Sequence, residues 1–270
     1  MIFNLSRAVA AFGFHPKRCE RPLAPLPLIG TGALINNSQG DGTPFFLTAR
    51  HHFLFGGRGV RLGSYPSFEA VWDYTGAALK STSRAEVLTS LPRSRGAVLL
   101  ACDEDADAAL LRLEEIPPGR TFLGWRISEV EESELHRLSH PYGSPQTYSR
   151  HRGLEPLKTA KGSPLPSAPK CVSLSSSRFY QTLFEGILGP GSSGAPMVTS
   201  DRCIVGQLWG IYEKDGIAYA LDGAFSQAYL RLRQWLDPLG MGEAPELLQK
   251  SCSVARKEAR RELRVGGCLP

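Results

Sequence analysis

The order of three short segments constrains the fold of this 270-residue chain more than any other feature of its sequence. Gly189-Pro190-Gly191-Ser192-Ser193-Gly194-Ala195-Pro196 places a serine between glycines that free its backbone amides to face a ligand. Thr48-Ala49-Arg50-His51 lies upstream, and Asp107 falls between the two. A serine hydroxyl is a weak nucleophile at neutral pH and needs a base within hydrogen-bond reach, for which His51 is the candidate. That imidazole must be held in one tautomer by a carboxylate on its opposite ring nitrogen, for which Asp107 is the candidate. The oxyanion formed at an attacked carbonyl needs backbone N–H donors worth about 3 kcal/mol each, and Gly191 and Ser193 are placed to supply them. The order His, Asp, Ser argues for a double β-barrel, because the α/β arrangements that run the same chemistry place the three residues in other orders. A G-x-S-x-G frame on Ser193 also fails, since Ala195 stands where its last glycine belongs.

The rest of the chain agrees with many short strands. Twenty-eight glycines and twenty prolines separate short apolar runs. Strands are predicted at Gly32–Ile35, Pro44–Thr48, Gly96–Ala101 and Ala108–Leu113, which bring His51 and Asp107 to one rim. Residues 1–27 contain Pro16, Pro22, Pro25 and Pro27 and read as a leader or an extended arm. The first barrel is expected over about 28–120 and the connection over about 114–135, where Pro117-Pro118-Gly119 interrupts the apolar runs. The second barrel is expected over about 135–223; it includes Leu138–Ser149, a polar insertion near 155–170, a segment over Cys171–Leu183, and strands at Cys203–Trp209 and Ile217–Leu221. From 224 to 236 the apolar residues take helical spacing, giving a closing helix that Asp237-Pro238 ends. Residues 239–270 form a basic tail, in which residues 256–264 carry five positive and two negative charges. Mixed signs at helical spacing favour a solvated helix over a nucleic-acid arm, so no nucleic-acid partner is expected.

The net charge of +5 is modest for this length. No run of about eighteen apolar residues is present, so no membrane span is expected. Ala8–Phe14 is short for the apolar core of a secretory signal and is followed by no clear cleavage site. Six cysteines allow fifteen full pairings, and no spacing suggests zinc; His52, His140 and His151 read as structural or exposed, and no metal or cofactor is expected.

Ordered segments across about 28–238 resemble the lysyl endopeptidases among the trypsin-like bacterial serine peptidases. They are Gly30–Asn37, Phe46–His51, Asp107–Leu113, Gly124-Trp125, His140-Pro141, Pro190–Gly194, Val205–Leu208 and Trp235–Pro238. The resemblance implies two six-stranded antiparallel β-barrels of the chymotrypsin type with a C-terminal helix. It also implies a secreted or periplasmic monomer acting on peptide or protein substrates. His51, Asp107 and Ser193 would be the triad, Gly191 and Ser193 the oxyanion donors, and Trp209 and Gly210 would lie at the substrate cleft. Three departures stand out: His52 replaces the cysteine that usually follows the base in trypsin-like enzymes; Ser192 replaces the aspartate that captures a freed N-terminus in zymogen-activated members, as a serine does in the lysyl endopeptidases; and Trp209 replaces a polar residue found near the substrate cleft in the nearest relatives. The family's Asp-x-x-Gly-x-Val-Phe segment falls on Asp215–Leu221, making Asp215 the acid of a lysine pocket. Lys214-Asp215-Gly216 also has the composition of a hairpin turn, and Glu185 and Asp222 are alternative acids. Ala218, where the relatives have glycine, would narrow the pocket. Cleavage after lysine, another side-chain preference, and a catalytically silent protein that binds partners all remain open at this level.

Overall fold

The computed structural model describes residues 2–15, 26–54, 59–79, 84–128, 130–156 and 179–248. A short helix α1 (Ile2–Ala8) leads into β1 (Val9–Phe14), β2 (Gly30–Leu34), β3 (Phe45–Ala49) and β4 (Gly63–Val71). Helix α2 (Arg84–Ser90) precedes β5 (Arg93–Asp103) and β6 (Ala108–Leu113). These six strands close an antiparallel barrel in the order β1-β2-β3-β6-β5-β4. Its filling is apolar: Phe12, Phe46, Phe68 and Trp72 are buried, and Phe46 meets both Phe12 and Trp72 edge to face at 6.1 Å. Burying each such ring contributes roughly 1.5–3 kcal/mol, and the edge-to-face contacts add to it.

One expectation fails here. Val9–Phe14, read as part of a leader or arm, is a buried strand of the first barrel, paired with β2 on one side and β4 on the other. Its run Val-Ala-Ala-Phe-Gly-Phe is apolar at nearly every position because it is buried on both faces, which removes the alternation that identifies a half-exposed strand. The barrel is open without it.

The connection carries β7 (Thr121–Phe122) and β8 (Gly124–Arg126). The second barrel follows with β9 (Glu134–Ser139), β10 (Thr147–Pro156), β11 (Phe179–Gly186), β12 (Pro196–Val198), β13 (Cys203–Lys214) and β14 (Ile217–Ala224). It closes as β12-β9-β10-β11-β14-β13, with β12 returning to β13. The stretch Leu138–Ser149, read as one segment, is two strands separated by a turn at Pro141–Gly143. Helix α3 (Phe225–Leu236) buries Phe225, Ala228, Leu232 and Leu236, and the rings of Phe225 and Tyr229 flank Trp125 at 5.7 and 5.6 Å. Asp237 then stops the chain by accepting the amides of Met241 and Gly242 and the hydroxyl of Tyr229. Two short strands, β15 (Glu243–Ala244) and β16 (Leu247–Leu248), pair with β8 and β7.

Cys102 and Cys203 are free, and burial pushes the Cys102 thiol up to about 12. The other four cysteines, the basic run at 256–264 and most of the segment beginning at Cys171 lie outside the described residues. Among the described residues no helix is long and apolar enough to cross a membrane, and no cluster of metal-ligating side chains occurs.

Candidate active site

The first barrel presents His51 and Asp107 from the ends of neighbouring strands. β3 ends at Ala49, a single turn carries Arg50–Phe53, and the Arg50 amide donates to the carbonyl of Asp107 at 2.8 Å. Asp107 opens β6 in the left-handed region, with φ of 53°, a conformation that aspartate adopts more readily than most residues. Its carboxylate is almost wholly buried and grips His51 twice. Oδ1 accepts the His51 backbone amide at 2.9 Å, and Oδ2 lies 2.6 Å from Nδ1. The second contact fixes the tautomer, leaving Nε2 as the free ring nitrogen. The acid loop is also tied to the second barrel, since Gln207 Nε2 donates to the carbonyl of Ala106 at 2.7 Å.

The Ser193 loop belongs to the second barrel and is held by its carbonyls. Gly194, with φ of 83°, passes so close to the first barrel that a Cβ there would lie 2.1 Å from Thr48 Oγ1. This contact brings the serine loop against the strand that leads to His51. Tyr142 N donates to the carbonyl of Pro190, and Ala195 N donates to that of Ser192 at 3.0 Å. In a planar trans peptide the N–H points opposite to its C=O. The amides of Gly191 and Ser193, which share peptide units with those two carbonyls, therefore point away from both anchors and donate to no acceptor among the described residues. Gly191 takes φ of 93°, open to glycine, and Thr31 Oγ1 donates to its carbonyl at 2.7 Å. Tyr142 itself is in the left-handed region, with φ of 55°, so the brace on Pro190 is held at some backbone cost.

Ser192 is buried and carries no charge. Its hydroxyl accepts from Ser139 Oγ at 3.1 Å and from the Gly189 amide at 3.3 Å, which fills the place of an ion pair with a neutral network. Ser193 Oγ donates to the carbonyl of Trp209 at 3.3 Å. The Trp209 ring is buried edge-on against Phe179 at 6.2 Å, and Gly210 is partly open beside it.

Asp215 does not join this group. It stands exposed with Gly216 at the tip of the β13–β14 hairpin, where Lys214 pairs with Ile217 and both turn residues have positive φ, 52° and 76°. That is the geometry an Asp-Gly pair favours on its own, about 16 Å of strand beyond Gly210. The alignment that makes Asp215 a pocket acid is corrected by this placement. The alternative acids already hold cations. Glu185 is exposed and pairs with Arg150, which holds its carboxyl low. Asp222 on β14 and Arg137 on β9 form an ion pair without solvent exposure inside the second barrel; burial raises Asp222 to about 6 and outweighs the guanidinium. Sequence reasoning passed over Thr31, Tyr142 and Arg137. A buried arginine within Glu134-Leu-His-Arg-Leu-Ser139 is the one of these with a readable signal, a charge inside a strand.

A model of the lysyl endopeptidase C-terminal domain matches residues 27–215. The chain belongs to that family of peptidases. The match stops in the β13–β14 turn, short of β14 and α3. Solved structures share the architecture of this lysyl endopeptidase family member. The active form of Rv3671c protease from M. tuberculosis superposes with a TM-score of 0.52 at 16% identity, over 86% of this chain and 82% of that one. The HtrA-type protease AlgW with tripeptide gives 0.54 at 14% identity, over 88% and 62%. The MamO protease domain from Magnetospirillum magneticum gives 0.50 at 11% identity, over 83% and 95%. At these identities the likeness is one of fold, the trypsin-like double barrel.

Proposed function

We propose that this chain is a serine endopeptidase that hydrolyses peptide bonds through an acyl-enzyme on Ser193. The observation that carries the reading is the double grip of Asp107 on His51, beside a loop whose Gly191 and Ser193 amides are both unspent. Substrate arrival turns the Ser193 hydroxyl from the Trp209 carbonyl to His51 Nε2; such contacts are often unmade until a substrate is bound. His51 takes the proton as Oγ attacks the scissile carbonyl, and Asp107 stabilises the imidazolium without accepting a proton itself. The oxyanion is received by the two amides. His51 then gives its proton to the leaving amine, and a water activated by the same base releases the acyl group.

Trp209 and Gly210 are the proposed cleft residues, since the carbonyl of one already touches the nucleophile and the other leaves its side open. Lysine at the cleaved position draws no support from Asp215, Glu185 or Asp222, so the proposal is a trypsin-fold peptidase whose side-chain preference lies elsewhere. An exported location and a protein or peptide substrate follow from the family as proposals.

Labelling of the folded protein by a fluorophosphonate tests the reading. Wild type is expected to label and Ser193→Ala to remain unlabelled. A folded wild type that does not label would favour a catalytically silent protein of this fold.

A further inference from the structure

We propose that His52 is a positioning residue for this reaction, tying the carbonyl of the nucleophile to the turn that carries the base. The inference rests on the serine reading above. His52 follows His51 in the Arg50–Phe53 turn, at the position where a disulfide usually staples this loop. Its ring stands edge-on to Phe12 at 5.1 Å and 4.4 Å from the ring of His51. It also lies so near the backbone of Gly30 that a Cβ there would be 2.6 Å from Nε2. Nε2 is 3.2 Å from the carbonyl oxygen of Ser193. A carbonyl only accepts, so Nε2 carries the hydrogen and donates it.

The bond fixes the nucleophile's backbone. The Ser193 carbonyl receives the Thr31 amide at 3.0 Å and the His52 ring, which sets the peptide plane after the nucleophile. The Ala195 amide on the Ser192 carbonyl sets the plane before it. With both planes fixed, the direction of the Ser193 Cα–Cβ bond is fixed as well, and with it the reach of Oγ toward His51. Base and nucleophile come from different barrels, so any sliding between the barrels separates them; the His52 bond crosses that seam one residue from the base. Burial, and then the neighbouring His51, press the His52 imidazole down to about 3. It therefore stays neutral while His51 gains and loses its proton, and no second cation forms 4.4 Å from the first.

Two substitutions separate this role from packing. His52→Phe keeps a ring against Phe12 and removes the donor; His52→Gln offers an N–H near the place of Nε2. For His52→Phe we expect kcat and the fluorophosphonate labelling rate to fall together by about 10- to 100-fold, as a slightly misplaced nucleophile would cause, with KM and melting temperature little changed. His52→Gln should recover to within about threefold of wild type, since the donor returns. A His52→Phe enzyme with wild-type kcat overturns the assignment, and so does a Gln variant no better than Phe. A loss of kcat that only tracks a loss of melting temperature in both variants also overturns it, assigning His52 to packing. A folded wild type that does not label would overturn the serine reading itself, a different result from a labelled wild type indifferent to His52.

Discussion

The two barrels have the same strand number and differ in the largest groups they bury. The first is filled by Phe12, Phe46, Phe68, Trp72, Leu99 and Leu111, and the groups it lends to the site, His51 and Asp107, stand at strand ends above that filling. The second holds the buried pair Arg137–Asp222, with His151 between Ser149 Oγ and Thr182 Oγ1 at 2.9 Å each. It lends the loop that carries Ser193 and the proposed oxyanion donors, held by hydrogen bonds to carbonyls. An apolar core is tolerant of pH and needs only shape; a polar one demands that every partner be present. The half that carries Ser193 therefore depends more on pairing and pH.

The largest expected difference between the halves is chemical. Ser193→Ala, in the second, should lower kcat by about a million-fold, and Asp107→Asn, in the first, by about ten-thousand-fold, because the asparagine keeps the ring in place in the wrong tautomer. Steady-state kinetics on a peptide substrate decide it; equal losses would mean that Asp107 does more than orient.

Stability gives the next contrast. Phe46→Ala in the apolar barrel should cost about 3–5 kcal/mol. Arg137→Met should cost a similar amount because it strands the Asp222 charge, and the double variant Arg137→Met with Asp222→Leu should return near wild type. Denaturant melts of the four proteins measure this. A double variant as unstable as Arg137→Met would assign the cost to lost volume rather than to the stranded charge.

The dependence on pH, smaller for each residue taken alone, has a sign. Burial holds His151 at about 2 and His140 at about 4, both below the ordinary imidazole value of 6.5. Between those values the unfolded chain binds more protons, so stability present above 6.5 is lost as pH falls, on the order of 3 kcal/mol per histidine by pH 4. Asp222, raised to about 6, works the other way: its contribution is full below about 4 and is lost as pH rises through 6. His151, His140 and His52, the last pressed down to about 3, outweigh one aspartate, so the protein should weaken from pH 7 to pH 4. His151→Gln should weaken less over that interval in denaturant melts; the same slope as wild type would mean that His151 is not buried neutral.

Asp215→Asn should change least. Asparagine suits the left-handed turn as well as aspartate, so stability should stay within about 0.5 kcal/mol and a peptide-library cleavage profile should be unchanged. Selective loss of cleavage after lysine would restore Asp215 to the cleft.

The double barrel was legible in the sequence, and so were the three residues proposed for the chemistry, because local patterns mark them. Gly191 and Gly194 flank a serine, an apolar run leads to His51, and Asp107 opens another apolar run; the order of the three selects the topology. The closing helix was legible from its period. Other parts were not. β1 shows no alternation, because it is buried on both faces, and it resembles a leader until β4 is there to pair with it. Asp215 is the same aspartate in a pocket or in a turn, and only the hairpin register chose the turn. Arg137 and Asp222 lie 85 residues apart, and His52 and Ser193 lie 141 apart. Short-range pattern follows from backbone preference and burial period, which a sequence carries locally, whereas the pairing of one charge or one carbonyl with one partner exists only once both barrels have closed.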